Sequence, residues 1–376
     1  MKIWQKRIGF ISIQQAHTIA TDGYQPSPIR TGYESVIGMR TSGMFAQVAK
    51  MDGVVRSVTD TGVIVEYSDG TKQGYEVGTL YGKAEGSVYP HNVKAVVKVG
   101  QRLKKDDYIT YNTKFFTPDP ILPGGIVYKG GLMALAVLVE TARTHEDSSV
   151  ISRNLSRRLR ATTTKVKTYT VNFKQNVLDV VKIGQKVKPE DILMTIEDEI
   201  TAMDDSFKDS SLQILSERSK NSPRSSYIGT VSNIEVLYHG DLSDMSASLK
   251  SLATKSDKLK AEKAKSVGKE AASGFVNSDL SVNGTPLAVN KAVIRVYIDV
   301  EDDPATGDKI VVGNQLKSVI GEVMDYTLRT ESGEVVDLQF GAKSFAARIV
   351  NSLIMFGVRA AALKGLEKAA DKLYRQ

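Results

Sequence analysis

One stretch of this chain is written twice. VVKVGQRLKKDDYITYN at 96–112 is echoed by VVKIGQKVKPEDILMTIE at 180–197. Each copy reads as a strand, a glycine turn, a basic residue, an acidic pair or Pro-Glu-Asp, and a second strand. Apolar runs this short, broken by glycine, describe turn-punctuated β structure rather than helix. Two copies are too few for a solenoid, which needs three or more repeats. They point instead to two similar hairpins of the barrel-sandwich type.

The rest of the chain is read around those hairpins. Its 376 residues can bury a sizeable core and hold two or three modules. Residues 1–150 form a first β-rich segment, with Val-rich runs separated by Asp-Thr-Gly and Ser-Asp-Gly turns in VVRSVTDTGVIVEYSDGTKQGYEV. Residues 151–226 hold a short basic helix, the second hairpin and a Ser-rich linker from 200. Residues 227–300 carry the strands YIGTVSNIEVLYHG and AVIRVYIDV around a helical insertion at 241–274. Seven lysines against three acids between 246 and 272 make that insertion a solvated, charged surface element. Residues 301–343 form a second barrel segment, with a hairpin turning at Glu331-Ser332-Gly333. Residues 344–376 read as a core-packing helix with Ser344 as N-cap and breaks at Gly357 and Gly365.

Composition narrows the chemistry. With no cysteine, disulfides, thiolate nucleophiles and Cys-based zinc sites are excluded. The four histidines, His17, His91, His145 and His239, show no ligand spacing. The formal charge of +7 fits a polyanionic partner. The longest apolar run, 132–139, is far below the roughly 20 residues of a membrane span. The opening MKIWQKRIGFISIQQ has too short an apolar stretch for a signal peptide, so a soluble, non-secreted protein is expected. No P-loop, dinucleotide-binding glycine turn, zinc-protease helix or nucleophile elbow occurs.

What remains is a pair of lysines, Lys309 and Lys317, around the small polar stretch Val312-Gly313-Asn314-Gln315. Ammonium groups on a tight turn between strands can grip phosphates as point charges. Lysine pairs are common, and alone this one would be read as two solvated side chains.

The order of features around the pair resembles the central and C-terminal part of the bacterial-type RNA polymerase β subunit. TGDKIVVGNQLKSVIGEVM resembles the family's double-psi β-barrel segment, in which GDK, a short loop and a second lysine lie at the same spacing. TESGEVVDLQF, AARIVNSLIM and RAAALKGLEKAADKLYRQ resemble the stretches that follow it. Toward the N-terminus, QQAHTIATDGYQPSPIRTGYES and GGLMALAVLVETARTHEDSSVISRNL resemble two further family segments, in colinear order across essentially the whole chain.

The resemblance implies a mainly β fold with α elements: a double-psi β-barrel, barrel-sandwich hybrid hairpins, a lysine-rich helical insertion in the position of the family's flap, and a C-terminal helix. It implies that Lys309 and Lys317 contact nascent RNA and substrate phosphates, and that Arg348 contacts the incoming triphosphate. Glu146 and Asp147 fall where the family keeps an acidic pair near metal and substrate. Asn314 in the loop and Arg153, Arg157 and Arg158 in the basic run are expected on the nucleic-acid side. The family's loop arginine and histidine are replaced by Gly313 and Asn314, a first-segment arginine by Gln14, and an aromatic residue by His145. Nothing here resembles the aspartate triad that holds magnesium, and Glu301-Asp302-Asp303 lacks its spacing. The chain is therefore expected to have no cofactor of its own and no catalysis alone. Mg2+ is expected on a β′-like partner, with a separate N-terminal β fragment as a further partner and DNA and RNA as ligands. A reduced β of this kind resembles those of large bacteriophages, which places it in host cytoplasm or virion. The alternative is a non-catalytic virion structural or assembly protein, built on the same barrel and present in many symmetric copies.

Overall fold

The computed structural model describes residues 2–8, 16–84, 86–198, 221–277, 280–282, 284–313, 316–348 and 351–375. Gln14, Asn314, Gln315 and most of the Ser-rich stretch lie outside the described residues. The fold is mainly β, with 39% of residues in strands and 20% in helices. Among the described residues no helix is long and apolar enough to cross a membrane.

Two eight-stranded sheets organise the chain. The larger is built on three long antiparallel strands, Ala161–Asn172, Lys291–Asp302 and Gly229–His239. Alternation along Lys291–Asp302 sends Ile294, Val296 and Ile298 into a core, while Arg295 and Tyr297 point away from it. Helix α1 (Arg153–Arg158) leads into this sheet, and helix α2 (Ala247–Ser266) is inserted in sequence between the paired strands Gly229–His239 and Lys291–Asp302. Ser246 caps α2 by accepting a bond from the Leu249 N–H at 3.3 Å. This insertion is less solvated than its lysine count implies. Leu249 and Ala253 sit fully inside the main core, with Ser256 and Ala264 also buried. Spacings of four, three and eight residues put these small side chains on one stripe, and the lysines occupy the remainder.

The doubled sequence is a doubled structure. In the first copy Gly100 N–H donates to the Val55 carbonyl (2.8 Å) and Val55 N–H to the Gln101 carbonyl (3.0 Å). In the second, Gly184 donates to Val231 (2.7 Å) and Val231 to Gln185 (2.9 Å). The far end matches too: Asp106 N–H donates to the Ala49 carbonyl and Ala49 N–H to the Asp107 carbonyl, as Glu190 N–H donates to the Ser225 carbonyl and Ser225 N–H to the Asp191 carbonyl in the second copy. Gln101 and Gln185 each accept from the N–H three residues earlier, both at 3.0 Å. Asp106 (φ 70°) and Glu190 (φ 72°) are both left-handed, as are Gly100 and Gly184. The partner segment precedes the repeat in the first copy and follows it in the second.

The second large sheet runs in the order Leu132–Met133, Lys2–Ile8, Lys309–Val312, Leu316–Met324, Ser148–Ser152, Leu338–Phe340, Ala136–Leu138. Its two edge strands are separated in sequence by only Ala134 and Leu135, so Met133 and Ala136 lie at most about 11 Å apart. The sheet must curl until its edges nearly meet, yet no ladder among the described residues joins them. Its inner face packs Leu132, Ile151, Ile310, Leu316, Ile320, Leu338 and Phe340, with Leu155 of α1.

The C-terminus departs from the sequence expectation. There are two helices, α3 (Ala342–Ala347) and α4 (Asn351–Tyr374). Gly341, not Ser344, stands at the N-cap of α3, because the Ser344 hydroxyl is turned to the Glu146 carbonyl. Helix α4 runs unbroken through Gly357 and Gly365; an interior glycine costs about 1 kcal/mol, too little to end a helix rich in Ala, Leu and Lys. Helix α4 reaches the core through a single side chain. Leu353 is its one buried residue among those described, and Ile354, Met355, Val358 and Leu366 are exposed.

Candidate functional site

The two lysines lie on the antiparallel hairpin formed by Lys309–Val312 and Leu316–Met324. Its register pairs Lys309 with Val319 and Val311 with Lys317. Directly paired residues share a face, so Lys309, Val311, Lys317 and Val319 project from one side. The other side carries Ile310, Val312, Leu316 and Ile320 into the core. The two lysines are therefore diagonal neighbours, with Cα atoms roughly 7–8 Å apart. Lys309 is exposed and Lys317 half-buried; Val311, on the same face, is buried.

The turn between the strands is held from outside. Gly313 has φ 65°, and a Cβ there would lie 2.2 Å from Leu353 Cδ1. The one buried residue of α4 thus closes over the loop that separates the lysines, and only glycine fits beneath it.

On the next strand, Ser148–Ser152 runs parallel to Leu316–Met324 with Ser148 beside Val319. The Asp147 carbonyl accepts from Val319 N–H (3.2 Å) and from the Ser318 hydroxyl (2.8 Å). Lys309, Val319 and Asp147 therefore follow one another across three strands, which sets the Lys309 and Asp147 backbones about 10 Å apart. The Asp147 carboxylate takes both arms of the Arg348 guanidinium, at 2.5 and 2.6 Å. These bonds hold the Asp147 carboxyl below its usual range and push the arginine higher still. Glu146 is exposed and left-handed (φ 54°), and its carbonyl receives the Ser344 hydroxyl. The acidic pair, Arg348 and the lysine hairpin come together on one part of the curled sheet.

The basic run divides. Arg153 pairs with Asp325. Arg158 is committed to the fold, donating to the Met133 carbonyl at 2.6 Å and lying 3.6 Å from Asp337. Arg157 is exposed. Arg160 binds Asp303 (2.6 Å) and Glu301 (2.9 Å), which lowers the Asp303 carboxyl and ties down the acidic cluster. Among the described residues no group of three or more His, Asp or Glu is arranged to hold a metal.

Asp337 is a further anchor of this region, not among the residues singled out from the sequence. It is buried, and its carboxylate accepts from Leu135 N–H at 3.1 Å beside the Arg158 guanidinium. Its backbone N–H donates to Leu135 (2.9 Å) and its carbonyl accepts from Ser152 (2.8 Å). It fastens the connection between the two sheet edges. The signal was a lone acid inside the apolar run VVDLQF, where a charge needs a partner.

No protein-family model matches this chain, and no curated protein sequence matches it.

Proposed function

We propose that the chain is a β-like subunit of a DNA-dependent RNA polymerase, phage-encoded and working in host cytoplasm or virion. In this reading it supplies cationic phosphate contacts to a composite nucleotidyl-transfer site. The single observation that carries the reading is the register that sets Lys309 and Lys317 on one face, with the Lys317 strand directly beside the one that Asp147, partner of Arg348, leads into. Further support comes from the curled sheet, whose two parallel pairings and neighbouring edges a double-psi β-barrel would share, although no ladder among the described residues closes it.

In the reaction the RNA 3′-hydroxyl oxygen bonds to the α-phosphorus of the incoming nucleotide. The bond to the β-phosphate bridging oxygen breaks, pyrophosphate leaves, and the hydroxyl proton is lost. Lys309 and Lys317 hold phosphates and the RNA end in line, and Arg348 takes the triphosphate once it leaves Asp147. This is positioning and electrostatic work. Mg2+ held by a β′-like partner would stabilise the attacking and leaving oxygens.

A second reading, a virion assembly protein, has its own support. Arg348 is already occupied by Asp147, and α4 leaves several apolar side chains uncovered. Purification with bound chains separates the two. The polymerase reading expects one copy beside a β′-like chain and extension of an RNA primer. Many symmetric copies without extension would establish the assembly reading instead.

A further inference from the structure

On the other large sheet, a groove of about 530 Å³ opens between the hairpin Gly78–Ala84/Ser87–Ala95 and the strands Ala161–Asn172 and Lys291–Asp302. Its walls include Tyr81, Lys83, Lys165, Tyr227, Arg295 and Tyr297, and no carboxylate. The strand Ala161–Asn172 pairs with Ser87–Ala95 only at Thr164 and Val88, so the hairpin peels away and leaves the groove open.

The aromatic rings are fixed in place. Tyr81 and Tyr297 lie 4.7 Å apart between centroids. Their hydroxyls donate outward, Tyr81 to Ser232 at 3.0 Å and Tyr297 to Glu235 at 3.1 Å. Glu235 also pairs with Arg295 and Lys260, which orients the guanidinium without entering the groove wall. The Lys165 and Lys167 ammonium groups lie 5.9 and 5.1 Å from the Tyr227 ring centroid.

We propose that this groove binds single-stranded nucleic acid, stacking bases on Tyr81, Tyr227 and Tyr297 and holding phosphates with Lys83, Lys165 and Arg295. Aromatic faces interleaved with cations are what a sequence-tolerant strand site needs. An acidic peptide would use the cations but leave the rings idle. The inference goes beyond the polymerase reading, since the groove lies on a different sheet from Lys309 and takes part in no bond-making step.

The test uses the full chain and a fluorescent 12-mer of uridine, with 4-thiouridine in a second oligomer for cross-link mapping. Binding is expected with cross-links in 78–95, 161–172 or 227. Tyr227→Ala should weaken it about tenfold. The pair Lys83→Ala and Lys165→Ala should lower the salt slope by about 0.7 for each phosphate that is no longer neutralised. Several results overturn the proposal: no binding, cross-links only elsewhere, unchanged affinity in these variants with circular dichroism intact, equal binding of a glutamate 12-mer, or equal affinity for uridine monophosphate. An absence of groove cross-links with RNA extension intact would sink the groove and leave the polymerase reading standing.

Discussion

Asp147 and Arg348, 201 residues apart in sequence, meet in a two-armed ion pair with bonds of 2.5 and 2.6 Å. The pair joins the start of a central strand to the segment between α3 and α4, so it sets where Arg348 sits relative to the lysine hairpin. It also means that any phosphate bound by Arg348 must compete with a carboxylate.

The pair makes a pH-dependent contribution. The Asp147 carboxyl is lowered by its bonds to Arg348, so its folded value lies below the unfolded one. Its stabilisation is then complete above the ordinary carboxylate range near 4 and is lost as pH falls through the lowered folded value. With the Asp147 side chain 46% exposed, solvent screening keeps the contribution to about 0.5 kcal/mol. Asp147→Asn should lose that increment at pH 7, and wild type and variant should converge in acid, as read by chemical denaturation.

Asp337 should matter far more to stability. Replacing it by alanine leaves the Leu135 N–H without its carboxylate acceptor and removes the countercharge beside Arg158, whose guanidinium keeps its bond to the Met133 carbonyl. The expected cost is about 2–3 kcal/mol. Asp337→Asn, which keeps an acceptor, should recover part of it. Urea unfolding of the two variants measures the difference.

Gly313 should tolerate no side chain while Leu353 is present. Gly313→Ala adds a left-handed penalty of about 1 kcal/mol and a packing clash of about 1–3 kcal/mol. Leu353→Ala in the same chain should remove the clash and leave the backbone penalty. A double-mutant cycle on thermal stability should therefore show coupling that favours the double variant.

The repeated module allows an internal control. Gly100 and Gly184 have φ near 81° and 87°, and a Cβ at either would meet nothing within 4 Å. Gly100→Ala and Gly184→Ala should thus each cost about 1 kcal/mol, purely from backbone conformation, and the two losses should match. Unequal losses would mean that the two hairpins are not equivalent.

Much of the β architecture was legible because it is local. The echo at 96–112 and 180–197 carries its own turn glycines and the side-chain acceptors Gln101 and Gln185, and these make matched bonds. The α2 insertion was visible as lysine-rich, but its buried stripe of Leu249, Ala253 and Ser256 was hidden by small side chains that look neutral in sequence. At the site, the eight-residue spacing of Lys309 and Lys317 could not say which face each takes. The register, with Lys309 opposite Val319, decides that. The Asp147–Arg348 pair and the Asp337 anchor join residues far apart in sequence, so neither could be read locally. Helix α4 misled because apolar content alone does not tell whether a core is there to receive it.

The most direct test is RNA extension by the purified complex carrying both Lys309→Ala and Lys317→Ala. The complex is expected to assemble as before and to lose extension. Full extension by that double variant would contradict the assignment of these lysines to the phosphate-binding site.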